Sequence, residues 1–547
     1  MNLTPAARTL LENRYLLPQE TPGSLFCRVA DAVGTPLKND FLHVMKELLF
    51  IPNSPTLMNA GTPAGQLSAC FVLPVEDSIQ GIFSTLATMA LIHQSGGGTG
   101  FSFSRIRPAG DPVSSTSGAA SGPLPFIRVF DEATSAVKQG GKRRGANMAV
   151  LASSHPDIIE FINAKNRGGL SNFNLSVGFD AHFFHCLQHG TQYDLVNPRD
   201  NSVKTGIDAL ELWRTLGSAA WQSGDPGVLF LDIINGKNTV PGLGSIEATN
   251  PCGEQPLLPF ESCNLGSINL SRCIAKDELD EEQVQTVTDR GIRFLDAVID
   301  VNRFPLPEVR EKTLLTRKIG LGVMGLADAL IRMEIPYESE EALHFADRTM
   351  ALISRRAHET SRELGEEQGS FPAIKKSIYS GEMRNATVLT IAPTGSLHLI
   401  AGTSSGIEPV FSLAGTRRIG NRPVTIIHPL LKKYLRTLRS GKDILAAVKR
   451  TGTLGSAPVP DKIKEIYKTA TEISPQHHIR MQAMVQKHVD NAVSKTVNLP
   501  EHADVDEICR LFLLARSLEC KGVTIYRYNS KKDQVLSRGC GMCRVDV

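Results

Sequence analysis

The chain has 547 residues, 41% of them hydrophobic, and carries 59 Lys and Arg against 56 Asp and Glu, a net charge of +3. That length buries a large core, as several ordinary domains or as one large α/β barrel with appendages. The near-balanced charge argues against a protein that coats nucleic acid, and no apolar run approaches the roughly 20 residues that span a bilayer.

The first residues lack the basic start and apolar core of a secretory leader. Residues 1–50 read as mostly helical, with polar turns at Pro18–Gly23. From Asn53 to Asn269, short apolar stretches alternate with glycine-rich turns and helical periods, which predicts an α/β fold. Asp208 caps one helix, with Glu211 three residues on and Leu212, Leu216, Ala219 and Ala220 along one face. Residues 281–370 read as helices, including a stretch through Leu321, Met324 and Ala329. Residues 440–460 read as a loop-rich surface insertion. The last segment, SKKDQVLSRGCGMCRVDV, is charged and poor in apolar residues, which predicts a mobile tail. The ten cysteines are too dilute for a disulfide scaffold and point to a reducing, cytoplasmic setting.

One cysteine stands in a distinctive loop, Ala248-Thr249-Asn250-Pro251-Cys252-Gly253-Glu254-Gln255-Pro256. Pro251 and Pro256 deny strand hydrogen bonds, and Gly253 opens backbone angles closed to other residues. Strict alternation would put Asn250, Cys252 and Glu254 on one side, combining a thiol with an amide and a general base. A buried cysteine in a turn is the plain alternative. Cys263 follows in CNLGSINL, and Cys70 lies far upstream in SACFVLPVEDS.

These three cysteine-bearing segments together resemble ribonucleotide reductases, particularly the adenosylcobalamin-dependent class II. The stretches KIGLGVMGLADAL, IAPTGSLHLIAGTSSGIEPVF, HIRMQAMVQKHVDNAVSKTVNLP and CKGVTIYR extend the likeness, in order, over roughly residues 5–530. The resemblance implies a ten-stranded α/β barrel of two parallel five-stranded halves set antiparallel around a central finger loop. It divides the chain into an N-terminal helical region (1–50) with no ATP-cone, a catalytic barrel (51–530) and a C-terminal redox tail (531–547).

The same resemblance assigns roles. Cys252 matches the thiyl-forming cysteine that takes hydrogen from C3′ of the ribose, and Glu254 the base for the 3′-hydroxyl proton. Asn250 matches the amide that holds the ribose hydroxyls, and Cys70 and Cys263 the pair that reduces C2′ and ends as a disulfide. Pro393, Thr394, Gly395 and Ser396 match a phosphate cradle; Ser54 matches a second phosphate contact, and Ala69 and Gly98 match further substrate contacts. Asp77 and Arg107, with Lys142 and Arg143 in a basic glycine-rich loop, match the site where a deoxynucleotide effector selects the substrate base. That site implies a homodimer.

Radical source separates the classes. The stretch Thr524-Ile525-Tyr526-Arg527-Tyr528 has arginine where class I enzymes carry the second of two adjacent tyrosines, and Arg544-Val545-Asp546-Val547 lacks the glycine of class III. Adenosylcobalamin is therefore the expected cofactor, with a class I-type subunit fed by a separate metal protein as the alternative. No metal site is expected. Cys540 and Cys543 read as half a zinc site, as exposed thiols, or as a shuttle passing electrons from thioredoxin or glutaredoxin to Cys70 and Cys263. The expected reaction is reduction of ribonucleoside diphosphates for DNA precursor synthesis.

Overall fold

Strands covered on both faces read as unbroken apolar runs, and the barrel strands of this chain are of that kind. The computed structural model describes residues 3–34, 36–113, 118–139, 143–419 and 422–530. In the first half of the chain, β1 (Cys70–Pro74), β2 (Gly98–Ser102), β3 (Asn147–Ala152), β4 (Phe173–Phe179) and β5 (Gly227–Phe230) pair in parallel in that order. In the second half, β6 (Ser262–Asn269) runs parallel to β7 (Ile319–Met324). Single bridges Leu321↔Leu389 and Ile391↔Val493 carry the sheet onward. Between those bridging stretches the chain makes a hairpin, β8 (Ala414–Ile419) with β9 (Arg422–Ile427). It then returns as β10 (Thr496–Leu499), parallel to β11 (Gly522–Arg527).

The halves run in opposite directions and meet at two antiparallel seams, Cys70↔Cys263 between β1 and β6 and Val228↔Val523 between β5 and β11. The result is the expected barrel. Its second half consists of β6, β7, the stretch at 389–391, the stretch from Val493 into β10, and β11. Closure sorts side chains by parity. Cys70 and Val72 of β1 join Met148 and Val150 of β3, Cys263 and Leu265 of β6, and Ala248 and Leu257 in one apolar cluster. Their neighbours Phe71, Leu73, Ala149 and Leu151 pack in a different cluster with the surrounding helices.

The helix Ala209–Ser223 forms as the sequence predicts. The Asp208 carboxylate accepts from the amides of Leu210 and Glu211, and Leu212, Leu216, Ala219 and Ala220 are buried. N-terminal helices Pro5–Arg14, Pro22–Val33 and Lys38–Lys46 contribute to the cluster formed with helices Glu281–Val301 and Glu340–Gln368.

Two expectations are corrected. Leu321 and Met324 lie in the strand β7, and only Ala329 of that stretch is helical, in Leu326–Arg332. β7 is buried on both faces, so it has no alternation to distinguish it from a buried helix. Residues 441–451 form the helix Gly441–Thr451, which buries Ile444 and Val448 four residues apart, and only the segment after it is loop.

The cysteine loop is the tip of a short hairpin, Ala248–Thr249 against Pro256–Leu257, pressed against β2. A Cβ on Gly100 would stand 1.7 Å from the Thr249 carbonyl oxygen, so only glycine lets β2 and the hairpin approach this closely. Gly100→Ala should therefore lower stability by about 3 kcal/mol, the upper end of ordinary overpacking, measured by urea unfolding. Gly236→Ala is the control: it meets nothing within 4 Å and should change stability by no more than about 0.5 kcal/mol.

Candidate active site

Three separate parts of the chain hold the hairpin tip. The Asn250 backbone amide donates to the Gln255 carbonyl at 3.1 Å, and the Asn250 side-chain oxygen accepts from the Gln255 amide at 3.0 Å. Asn174 of β4 donates its side-chain amide to the Pro251 carbonyl at 2.8 Å. The Glu254 carbonyl accepts from the Ala492 amide and from the Thr390 hydroxyl, both from the second half of the barrel. Gly253 turns at φ 81°, in the left-handed region that favours glycine.

That turn breaks the alternation expected for the loop, which corrects the one-sided arrangement. Asn250 and Glu254 are buried against Cys70: the Asn250 side-chain nitrogen lies 3.0 Å from the Cys70 sulfur, and a Glu254 carboxyl oxygen lies 4.0 Å from it. Cys252 is instead exposed and lines a cavity.

Cys70 and Cys263 are direct register partners across the antiparallel seam. Opposed residues of such a pair have α-carbons about 4.5–5.5 Å apart, within the range a disulfide spans. Both are free thiols in this structure. Burial pushes both well above the ordinary thiol range, and the Glu254 carboxylate adds to the cost of ionising Cys70. They are neutral thiols rather than thiolates. Lys318 and Glu261 form a buried ion pair at 2.7 Å beside Cys263.

Burial also raises Glu254 from an ordinary value of 4.5 to about 7, opposed by hydrogen bonding from Asn250. One of its carboxyl oxygens has no hydrogen-bond partner. A carboxyl group poised near neutrality can both accept and return a proton.

The cavity reached by Cys252 has a volume of about 860 Å³. Its wall includes Pro251 and Gly253 of the tip, Ser176, Leu229 and Tyr526 of the barrel, and Arg417 of β8. Ser405, which closes the loop Pro393–Ser396 through the Pro393 carbonyl, also lines it. In that loop Thr394 holds φ 49°, a costly conformation for a β-branched residue. Its hydroxyl accepts from the Gly406 amide at 2.9 Å. An added Cβ on Gly395 would meet nothing within 4 Å, so open space lies beside the loop. Ser396 precedes the short helix Leu397–Ala401 without a side-chain capping bond.

Other expected residues fall as follows. Ser54 is buried, its hydroxyl bonded to that of Tyr15 at 2.8 Å. Ala69 links the seam to β2, its amide donating to the Cys263 carbonyl and its carbonyl accepting from Gly98. Gly98 opens β2 beside Pro251, whose ring would lie 3.0 Å from an added Cβ. Asp77 and Arg107 pair at 2.8 Å, with a second bond from the Arg107 amide. Lys142, Cys540 and Cys543 lie outside the described residues, as does the side chain of Arg143. Among the described residues, no group of three or more His, Cys, Asp and Glu is placed to hold a metal ion.

Comparison with known proteins decides the family. Residues 68–383 and 374–526 match the ribonucleotide reductase barrel domain, and residues 1–65 match the ribonucleotide reductase all-alpha domain. The chain belongs to the ribonucleotide reductase family. It is 51% identical, over 509 residues, to a vitamin B12-dependent ribonucleoside-diphosphate reductase of Thermoplasma acidophilum, covering 92% of this chain and 66% of that protein. It is 48% identical, over 560 residues, to the enzyme of the same description from Mycobacterium tuberculosis, covering 98% of this chain and 81% of the relative. The class Id ribonucleotide reductase alpha subunit of Actinobacillus ureae shares the fold, with a TM-score of 0.80 at 24% identity over 96% of this chain and 97% of that one.

Within this reductase, sequence reading missed the residues that hold the tip rather than compose it. Asn174, Thr390 and Ala492 carry no local motif for that task, and neither does the buried Lys318–Glu261 pair. The Gly100 contact had a faint signal, a glycine at the centre of a strand, which marks close backbone approach. Arg417 had none.

Proposed function

We propose that this chain reduces ribonucleoside diphosphates to 2′-deoxyribonucleoside diphosphates, with adenosylcobalamin as the radical source. The observation that carries the reading is the Cys70↔Cys263 seam with Asn250 and Glu254 against it and Cys252 beside it on the cavity wall. The vitamin B12 dependence in the relatives' descriptions supports the choice of cofactor.

The residues present fit that group. The cavity volume lies in the upper part of the range for cofactor pockets, roughly 300–1,000 Å³, and Cys252 is exposed on its wall. Pro251, Cys252 and Gly253 would border the cofactor on one side and the hairpin β8–β9 on another. Bound there, adenosylcobalamin supplies the homolysis from which the radical derives.

The remaining chemistry falls to the chain. The Cys252 thiyl removes hydrogen from C3′, and Glu254 takes the proton of the 3′-hydroxyl while Asn250 holds the ribose hydroxyls. The 2′-hydroxyl leaves as water with a proton from the Cys70–Cys263 pair, and at the end the Cys252 thiol returns its hydrogen to C3′ and is again a thiyl. Cys70 and Cys263 supply the two reducing equivalents and become a disulfide, so each deoxynucleotide formed consumes one dithiol. The loop Pro393–Ser396, with Ser54, holds the phosphates, and Ala69 and Gly98 border the ribose.

Cys540 and Cys543 then pass electrons from thioredoxin or glutaredoxin to the oxidised pair. Asp77 and Arg107, with Lys142 and Arg143, receive a deoxynucleotide effector at a homodimer interface. Helix Ile79–Gln94 supports the dimer: beyond its buried face it exposes Ile79, Phe83 and Leu91, and helix Pro123–Ala136 exposes Val129. A face of this kind suits a second copy of itself. No described helix is long and apolar enough to cross a membrane.

The test is cofactor dependence. Purified protein with a nucleoside diphosphate and dithiothreitol should form deoxynucleotide only when adenosylcobalamin is added. Failure to form product with the cofactor present would sink the reading.

A further inference from the structure

Arg417 projects from β8 into the cavity wall as a charge without a counterion among the described residues. Its one hydrogen bond among the described residues goes to His398 at 3.2 Å, and its Nε has no partner. No ion pair forms between it and a described carboxylate, although other arginines of the chain make many. The nearby Arg14 adds like charge rather than relief.

The carboxylates of the cavity wall are engaged elsewhere. Asp225 pairs with Lys165 at 3.0 Å, Asp328 pairs with His428 at 3.0 Å and accepts from Thr403, and Glu408 holds Lys495 and the Thr496 amide. Arg417 is half-buried with its Nε out of solvent; a charge shielded from water without a counterion is costly, so a site that keeps one is suited to a ligand that brings the opposite charge.

The guanidinium is also tied to the substrate side. Arg417 can only donate and the Thr394 carbonyl can only accept. His398 between them must therefore carry its proton on Nδ1, which donates to Thr394 at 2.8 Å, and accept from Arg417 at Nε2. Burial, then the charge of Arg417, lowers this imidazole to about 4, so it stays neutral. An unbroken chain of bonds thus joins the cavity cation to the loop Pro393–Ser396.

The ligand chemistry this fits is a phosphate oxygen. Two sources exist under the proposed function, on which this inference rests: the diphosphate of the substrate and the phosphodiester in the nucleotide loop of cobalamin. The corrin side chains of the cofactor are neutral amides, so the phosphodiester is the anionic group of its lower half. We propose that Arg417 binds that phosphodiester and anchors the cofactor in the Cys252 cavity, with His398 holding the guanidinium in register with the phosphate loop.

Binding rather than turnover tests this. Equilibrium dialysis is run with cyanocobalamin and with dicyanocobinamide, which lacks the nucleotide loop and its phosphate, on wild type, Arg417→Gln and Arg417→Lys. Loss of a charge-assisted bond should cost Arg417→Gln at least about 10-fold in affinity for cyanocobalamin and less than about twofold for the cobinamide, with Arg417→Lys between. Retained cobinamide binding also reports a folded cavity, and Arg417→Lys is judged by the same ratio if the glutamine variant does not fold.

Equal loss for both ligands, or loss for neither, overturns the proposal. So does an Arg417→Gln enzyme that keeps cyanocobalamin and raises KM for the diphosphate, which assigns the cation to the substrate. Wild type that binds neither corrinoid overturns the class II reading and this inference together. Wild type that binds cyanocobalamin with Arg417→Gln unchanged overturns this inference alone.

Discussion

Cys252→Ser should form no detectable deoxynucleotide, a loss of at least about 10³-fold, while cyanocobalamin and nucleoside diphosphate bind within about twofold of wild type. Cys252 is exposed at the tip of the hairpin. Replacing an exposed side chain that fills no core changes stability by no more than about 0.5 kcal/mol. A structural role would therefore leave activity close to intact, and only a chemical role makes one exposed sulfur indispensable. Serine keeps the size and a hydrogen-bonding group but cannot serve as a thiyl. The measurement is product formation by chromatography beside dialysis binding on the same preparation. Turnover above one hundredth of wild type would remove Cys252 from the radical position. Cys70→Ser supplies the contrast, since it leaves Cys252 in place and removes only one reducing equivalent.

How much of this could be read from the residues depends on how local each feature is. The hairpin tip was legible because Pro251, Gly253 and Pro256 act on their own backbone. Its orientation was not, because the φ of Gly253 decides whether Cys252 follows Asn250 and Glu254 or departs from them. Strand β7 was misread as helix for a related reason. With both faces buried, its apolar run carries no period, and the contact that fixes it, Gly322 against the Thr390 carbonyl, lies about seventy residues away. The seam between Cys70 and Cys263 was reachable only through the family resemblance. Nothing in either segment says which strand it will face. The cavity was beyond any sequence reading, since its wall draws on Thr4, Ser176, Arg417 and Tyr526 from opposite ends of the chain.

The Glu254 carboxyl offers a second large effect, one that turns on pH. Its ionisation near 7, against 4.5 for an ordinary glutamate, should make wild-type kcat/KM rise with pH and reach half its plateau near pH 7, since under the proposed function the base must be ionised. Glu254→Gln should lose about 10²–10⁴-fold in kcat, the usual worth of a positioned general base. Stability runs the other way. Between pH 4.5 and 7 the folded state holds a proton that the unfolded chain has released, so wild type loses stability as pH rises through that window. The penalty above pH 7 is on the order of 3 kcal/mol, and glutamine does not suffer it. The inactive variant should therefore melt at a higher temperature than wild type at pH 8, by a few degrees, with the difference gone at pH 4. Calorimetry at the two pH values measures this directly. A wild-type enzyme whose stability advantage over Glu254→Gln grew with pH would mean that the carboxylate is stabilised in the fold, and the hydrophobic burial that raises its pKa would not be the controlling influence.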